Sequence, residues 1–124
     1  MLIRSQDKTA LVKFENIVIS TELPDSLKVI CWSLQDTQRN GGYFILGEYS
    51  TKAKAMKALD MIQEAYADFE SAKITSTGLT AAAYTGNYDT SESVAYGIKV
   101  LKDYTEMIRE LIVFQMPADS EVVV

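Results

Sequence analysis

The chain has no histidine in its 124 residues, a single cysteine and two prolines. Without imidazole there is no Ser-His-Asp or Cys-His nucleophile, no His-ligated zinc and no side chain that ordinarily titrates near neutrality. An enzyme built from this sequence would have to work through Lys, Tyr, carboxylates or a borrowed metal. Cys31 has no second cysteine to pair with, and its place in "VICWSL", between Ile30 and Trp32, is that of a small core residue rather than a reactive thiol. An excess of basic charge is lacking too. With 17 acidic and 12 basic residues the net charge is −5, the wrong sign for a surface that tracks phosphates, so nucleic acid is not an expected partner. No run reaches the roughly 18 apolar residues of a membrane helix. The start "MLIRSQDK" also lacks the apolar core of a secretory signal, so a cytoplasmic protein is expected. No cofactor motif is present, and none is expected to be needed.

What is there is the composition of an ordinary folded protein, 48% hydrophobic and 23% charged, at the length of a single domain over residues 1–124. The first part reads as strands. "LIRS", "ALVKF", "NIVIST", "LKVICWSL" and "YFILGEY" are rich in β-branched and aromatic residues, and polar turns, Pro24 and Asn40-Gly41-Gly42 break them. Residues 1–49 are expected to form a four- or five-stranded antiparallel meander, with a hairpin at "DTQRNGG". At Ser50 the period changes. Ala53, Met56, Leu59, Ile62, Tyr66 and Phe69 recur at steps of three and four, predicting a helix over 50–72 that Ser50 or Thr51 caps. The uncharged span Thr75 to Tyr88 shows no strong period and is expected to be a loop. Asp89 and Glu92 have capping-box spacing ahead of a second helix, 90–112, whose stripe runs through Val94, Ile98, Leu101, Ile108 and Leu111. A short strand over 113–117 ends at Pro117, and the tail "EVVV" is expected to fray or to pair along an edge. Together these predict an α+β fold, an antiparallel sheet of four to six strands with two helices packed on it.

Three patterns carry candidate chemistry. Lys52, Lys54 and Lys57 lie at the start of the first helix, where free backbone N–H groups add to their charge. They form a candidate anion site for a phosphate or an acidic partner segment. Asp60, Glu64 and Asp68 share a helical face, but a single helix spaces its carboxylates too widely for a complete hard-cation site. They are read as a solvated surface, and no metal is expected. Tyr84 and Tyr88 sit among Gly, Thr, Asn and Ala, residue types that suit partner contact and equally suit a packed connector.

Three stretches, "MLIRSQDKTALVKFENI", "LGEYSTKAKAMKALDMIQEAY" and "VFQMPADSEV", resemble a group of small uncharacterised proteins of Gram-positive bacteria, many encoded by phages or prophages. The resemblance implies a soluble bacterial protein, and it carries no catalytic residue to this chain. The leading expectation is a non-enzymatic module for protein contact or self-association, with strand addition at "VFQM" or "EVVV" as one mode. The competing classes are a small-ligand or anion-binding protein or enzyme using Lys, Tyr and carboxylates, and a structural phage component.

Overall fold

Short β-branched runs form the strands, and the polar residues between them decide where each ladder stops. The computed structural model of the chain describes residues 1–23, 26–35, 42–85 and 90–124, with the backbone alone for 79–85. β1 (Leu2–Arg4) pairs antiparallel with β2 (Leu11–Lys13). Asp7 makes the turn between them. Its Oδ1 accepts hydrogen bonds from Ser5 Oγ at 2.7 Å, Thr9 Oγ1 at 2.7 Å and the Thr9 N–H at 3.0 Å. These bonds favour the carboxylate and bring the Asp7 carboxyl down to about 2, while Lys8 takes up the left-handed conformation at φ 65°.

A 3₁₀ turn at Phe14–Asn16 then interrupts the chain. Beyond it β3 (Ile17–Thr21), β4 (Lys28–Ser33) and β5 (Phe44–Glu48) form a second sheet, antiparallel throughout, in the order β3-β4-β5. β6 (Val113–Gln115) returns to the first sheet and lies parallel to β1, giving the order β2-β1-β6. The α+β class therefore stands, with six strands and two helices among the described residues. Its strands are shared between two sheets because the 3₁₀ turn falls where alternation in "ALVKFENIVIS" is imperfect. β6 can be parallel because the helices supply the long crossover that a parallel pair needs. The residues of the expected hairpin "DTQRNGG" lie mostly outside the described ones.

α1 (Lys52–Thr85) is longer than the pattern predicts. Thr51 Oγ1 accepts the Lys54 N–H at 3.2 Å, so Thr51 is the capping side chain. Residues 75–85, expected as part of a 75–88 loop, are helical instead. Thr75 Oγ1 donates to Ser71 C=O at 3.0 Å and Thr77 Oγ1 to Lys73 C=O at 2.9 Å. Bonding four residues back lets a hydroxyl side chain sit inside a helix, and the alanines that follow favour helix outright. Residues 86–88 lie outside the described ones. The buried residues of α1 are Ala55, Ala58, Ile62, Phe69 and Ala72, a seam rotated from the expected one, on which Ala53 and Met56 are exposed.

α2 (Ser91–Leu111) starts at Thr90, whose hydroxyl accepts the Ser93 N–H at 3.1 Å. Ser93 Oγ answers from the Thr90 N–H at 3.3 Å, closing the capping box one residue later than expected. The apolar stripe of α2 contains no buried residue.

The chain divides into two compact units. One comprises Met1–Ala65 with Val113–Val124, and the other Tyr66–Ile112. Ile3, Val29, Cys31, Leu46 and Met116 are the largest apolar side chains fully buried in the first unit.

Candidate functional site

The expected anion site at the start of α1 is filled by the chain's own carboxylate. Asp119 Oδ1 accepts the Ser50 N–H at 2.6 Å, and Asp119 Oδ2 accepts Ser50 Oγ at 3.0 Å and Lys54 Nζ at 3.0 Å. Lys54 Nζ also donates to Asp119 C=O at 2.9 Å. The Ser50 N–H, then Lys54 and the Ser50 hydroxyl, hold the Asp119 carboxyl below its ordinary value. Of the three lysines expected to form an anion site, Lys54 is thus engaged by the protein's own C-terminal stretch. Lys57 is exposed and takes no part in these contacts.

Asp119 anchors a larger junction. Tyr49 Oη donates to Pro117 C=O at 3.0 Å, and Gln6 Nε2 reaches the same carbonyl at 3.1 Å. Burial, with Asp119 and Glu121 nearby, pushes the Tyr49 hydroxyl up to about 12. The Gln6 N–H donates to Leu46 C=O at 2.7 Å, and Gln6 Oε1 accepts the Glu48 N–H at 3.0 Å. Gln115 Nε2 donates to Ser5 C=O at 2.9 Å. The segments around Gln6, Tyr49 and Pro117 meet here. The bonds of this junction tie the chain to itself.

The accessible chemistry lies on the β3-β4-β5 sheet. Cross-strand register sets Ser20 opposite Ile30, Val18 opposite Trp32 and Ile30 opposite Ile45, so these side chains share one face. A cleft of about 360 Å³ opens on it, lined by Ser20, Glu22, Ile30, Trp32, Gly42 and Tyr43. Gly42, at φ 70°, adopts a conformation that only glycine takes up without strain just before Tyr43. The Tyr43 hydroxyl donates to Glu22 Oε1, and this bond to a carboxylate raises the Tyr43 pKa. Tyr43, Phe44 and Ile45 are 47%, 64% and 47% exposed, an uninterrupted apolar run on the surface at the start of β5.

The remaining candidates do not converge. Asp60, Glu64 and Asp68 are exposed, and among the described residues no group of His, Cys, Asp or Glu could hold a metal ion. The Tyr84 side chain and Tyr88 lie outside the described residues. No helix among the described residues is long and apolar enough to cross a membrane. Cys31 is buried, and burial pushes its thiol up, away from reactivity. Sequence reasoning missed Tyr43, Glu22 and Trp32 as neighbours. The "YFI" run after Gly41-Gly42 was the available signal, and it was read only as a strand. Comparison with protein-family models, curated proteins and solved structures finds no match.

Proposed function

We propose that the protein is a non-enzymatic contact module, derived from a phage or other mobile element of a Gram-positive bacterium. It would bind a protein partner, or copies of itself, through the β3-β4-β5 sheet. The observation that carries the reading is the exposed run Tyr43-Phe44-Ile45 beside the cleft that Trp32 lines. Consecutive exposed apolar residues are disfavoured on a surface that meets only water, and Tyr and Trp are the side chains that anchor protein interfaces.

The test is affinity capture by the purified chain and by the Tyr43→Ser/Phe44→Ser variant. Both positions are exposed, so the variant is expected to melt near the wild-type temperature and to lose what the wild type recovers. Equal recovery by a folded variant would remove the sheet from consideration as the contact surface.

The cleft itself supports a second reading, a small-ligand site, because its volume reaches the lower end of such sites, about 300 Å³. Trp32 is the only tryptophan in the chain, so its fluorescence would report a ligand directly.

A further inference from the structure

The backbone of β3 is laid out for pairing with itself. In the β3-β4 ladder the Glu22 N–H donates to Lys28 C=O at 3.2 Å and the Leu34 N–H to Asn16 C=O at 3.0 Å. An antiparallel ladder alternates, so Val18 and Ser20 also turn their backbone groups toward β4, while Ile17, Ile19 and Thr21 turn theirs outward. Among the described residues no strand meets that outer edge. Two of its groups are satisfied within the chain. The Ile17 N–H donates to Phe14 C=O, and Ser20 Oγ donates to Thr21 C=O at 2.8 Å. What remains is the Ile17 C=O, both groups of Ile19, and the Thr21 N–H.

That remainder is self-complementary. With two copies antiparallel about a two-fold axis at Ile19, each Ile19 N–H meets the Ile19 C=O of the other copy. Each Thr21 N–H likewise meets the other copy's Ile17 C=O. The groups left facing each other, the Ile17 N–H and the Thr21 C=O, are the two already satisfied. Charge fits as well. Ile17–Thr21 carries none, and the same register sets Asn16 opposite the second copy's Glu22, keeping the two carboxylates apart. No proline or register shift blunts the strand, although edges are normally protected by such devices.

We infer that β3 pairs with the β3 of a second copy, joining the two β3-β4-β5 sheets into one continuous sheet with both clefts on its surface. The inference goes beyond the contact-module reading, which is carried by Tyr43-Phe44-Ile45 at the start of β5, because it places a second copy on the opposite edge of the same sheet.

The experiment is amide hydrogen exchange on the wild-type chain over a range of concentrations, with sedimentation in parallel. Where nine-tenths of the chains are paired, the Ile19 and Thr21 amides are expected to exchange about tenfold more slowly than in dilute protein. A dimer that leaves both amides unprotected overturns the inference, and so does a chain that stays monomeric at every concentration. Either result leaves the contact-module reading to its own capture test.

Charge variants supply an independent arm. Val18 and Ser20 become directly opposed across the two-fold, where like charges repel. V18K/S20K and V18E/S20E are each expected to be monomeric alone and to associate when mixed. A mixture that remains monomeric while the wild type dimerises places the contact elsewhere and overturns the inference.

Discussion

The β3-β4-β5 sheet treats its two edges oppositely. On the β5 side two outward groups, the Leu46 C=O and the Glu48 N–H, are taken by Gln6, one with its backbone N–H and one with its side-chain oxygen. A single residue from the β1-β2 turn thus mimics a neighbouring strand. A register shift opposite Val29 and Ile30 distorts the same edge further. On the β3 side no such device is present among the described residues, and the strand is uncharged and regular. An exposed row of unpaired backbone groups is a hazard that most proteins suppress. Suppression on one edge of a sheet and not on the other leaves the open edge as the one available for strand pairing.

The comparison can be broken at the closed edge first. A Cβ on Gly47 would lie 2.9 Å from Tyr49 Oη and 3.1 to 3.2 Å from its ring carbons. Gly47→Ala therefore forces the Tyr49 ring off Pro117, and overpacking of this kind costs about 1 to 3 kcal/mol. Chemical denaturation should show that loss, and a variant as stable as the wild type would mean that the ring moves aside freely. Gln6→Ala is the next in size. It leaves the Glu48 N–H without its acceptor, a loss of about 1 to 2 kcal/mol, and the Gln6 N–H bond to Leu46 remains. Its more telling consequence is a second open edge, so the variant should self-associate more than the wild type in sedimentation. Unchanged association would show that Gln6 stabilises the edge without guarding it.

How much of this could be read from the sequence depends on how local each cause is. β-branched runs and polar turns located all six strands, because those signals sit in the strands themselves. The start of α1 was legible at Thr51 for the same reason. Its buried seam was not, since Ala55, Ala58 and Ala72 weigh little in a hydrophobic pattern, although small side chains are what a closely packed helix face uses. Thr75 and Thr77 read as loop formers until their hydroxyls are seen bonded to the preceding turn. Lys54 bonds a carboxylate of the chain itself, and its partner could not be read locally, because Asp119 lies 65 residues from Lys54. The edge asymmetry had no sequence signature, since Gln6 and Glu48 come together only through the fold.

The smallest expected effect is on pH dependence, and it separates the two edges most cleanly. Asp119 has a folded pKa below its ordinary value of 3.8, so its contribution to stability is fully present above that value and is lost as pH falls through the folded one. Protonation weakens the bonds to Ser50 and Lys54 that fix the C-terminal segment, and with it the Pro117 carbonyl that orients the Gln6 side chain. Below about pH 4 the protection of the Glu48 amide, measured against its intrinsic exchange at each pH, should therefore decline. Asp119→Asn should show the same reduced protection already at neutral pH. The Ile19 amide is not connected to Asp119 by any of these bonds, so in dilute protein its protection should not follow the same curve. Parallel loss at both amides would mean that acid loosens the whole sheet and that the closed edge has no separate latch.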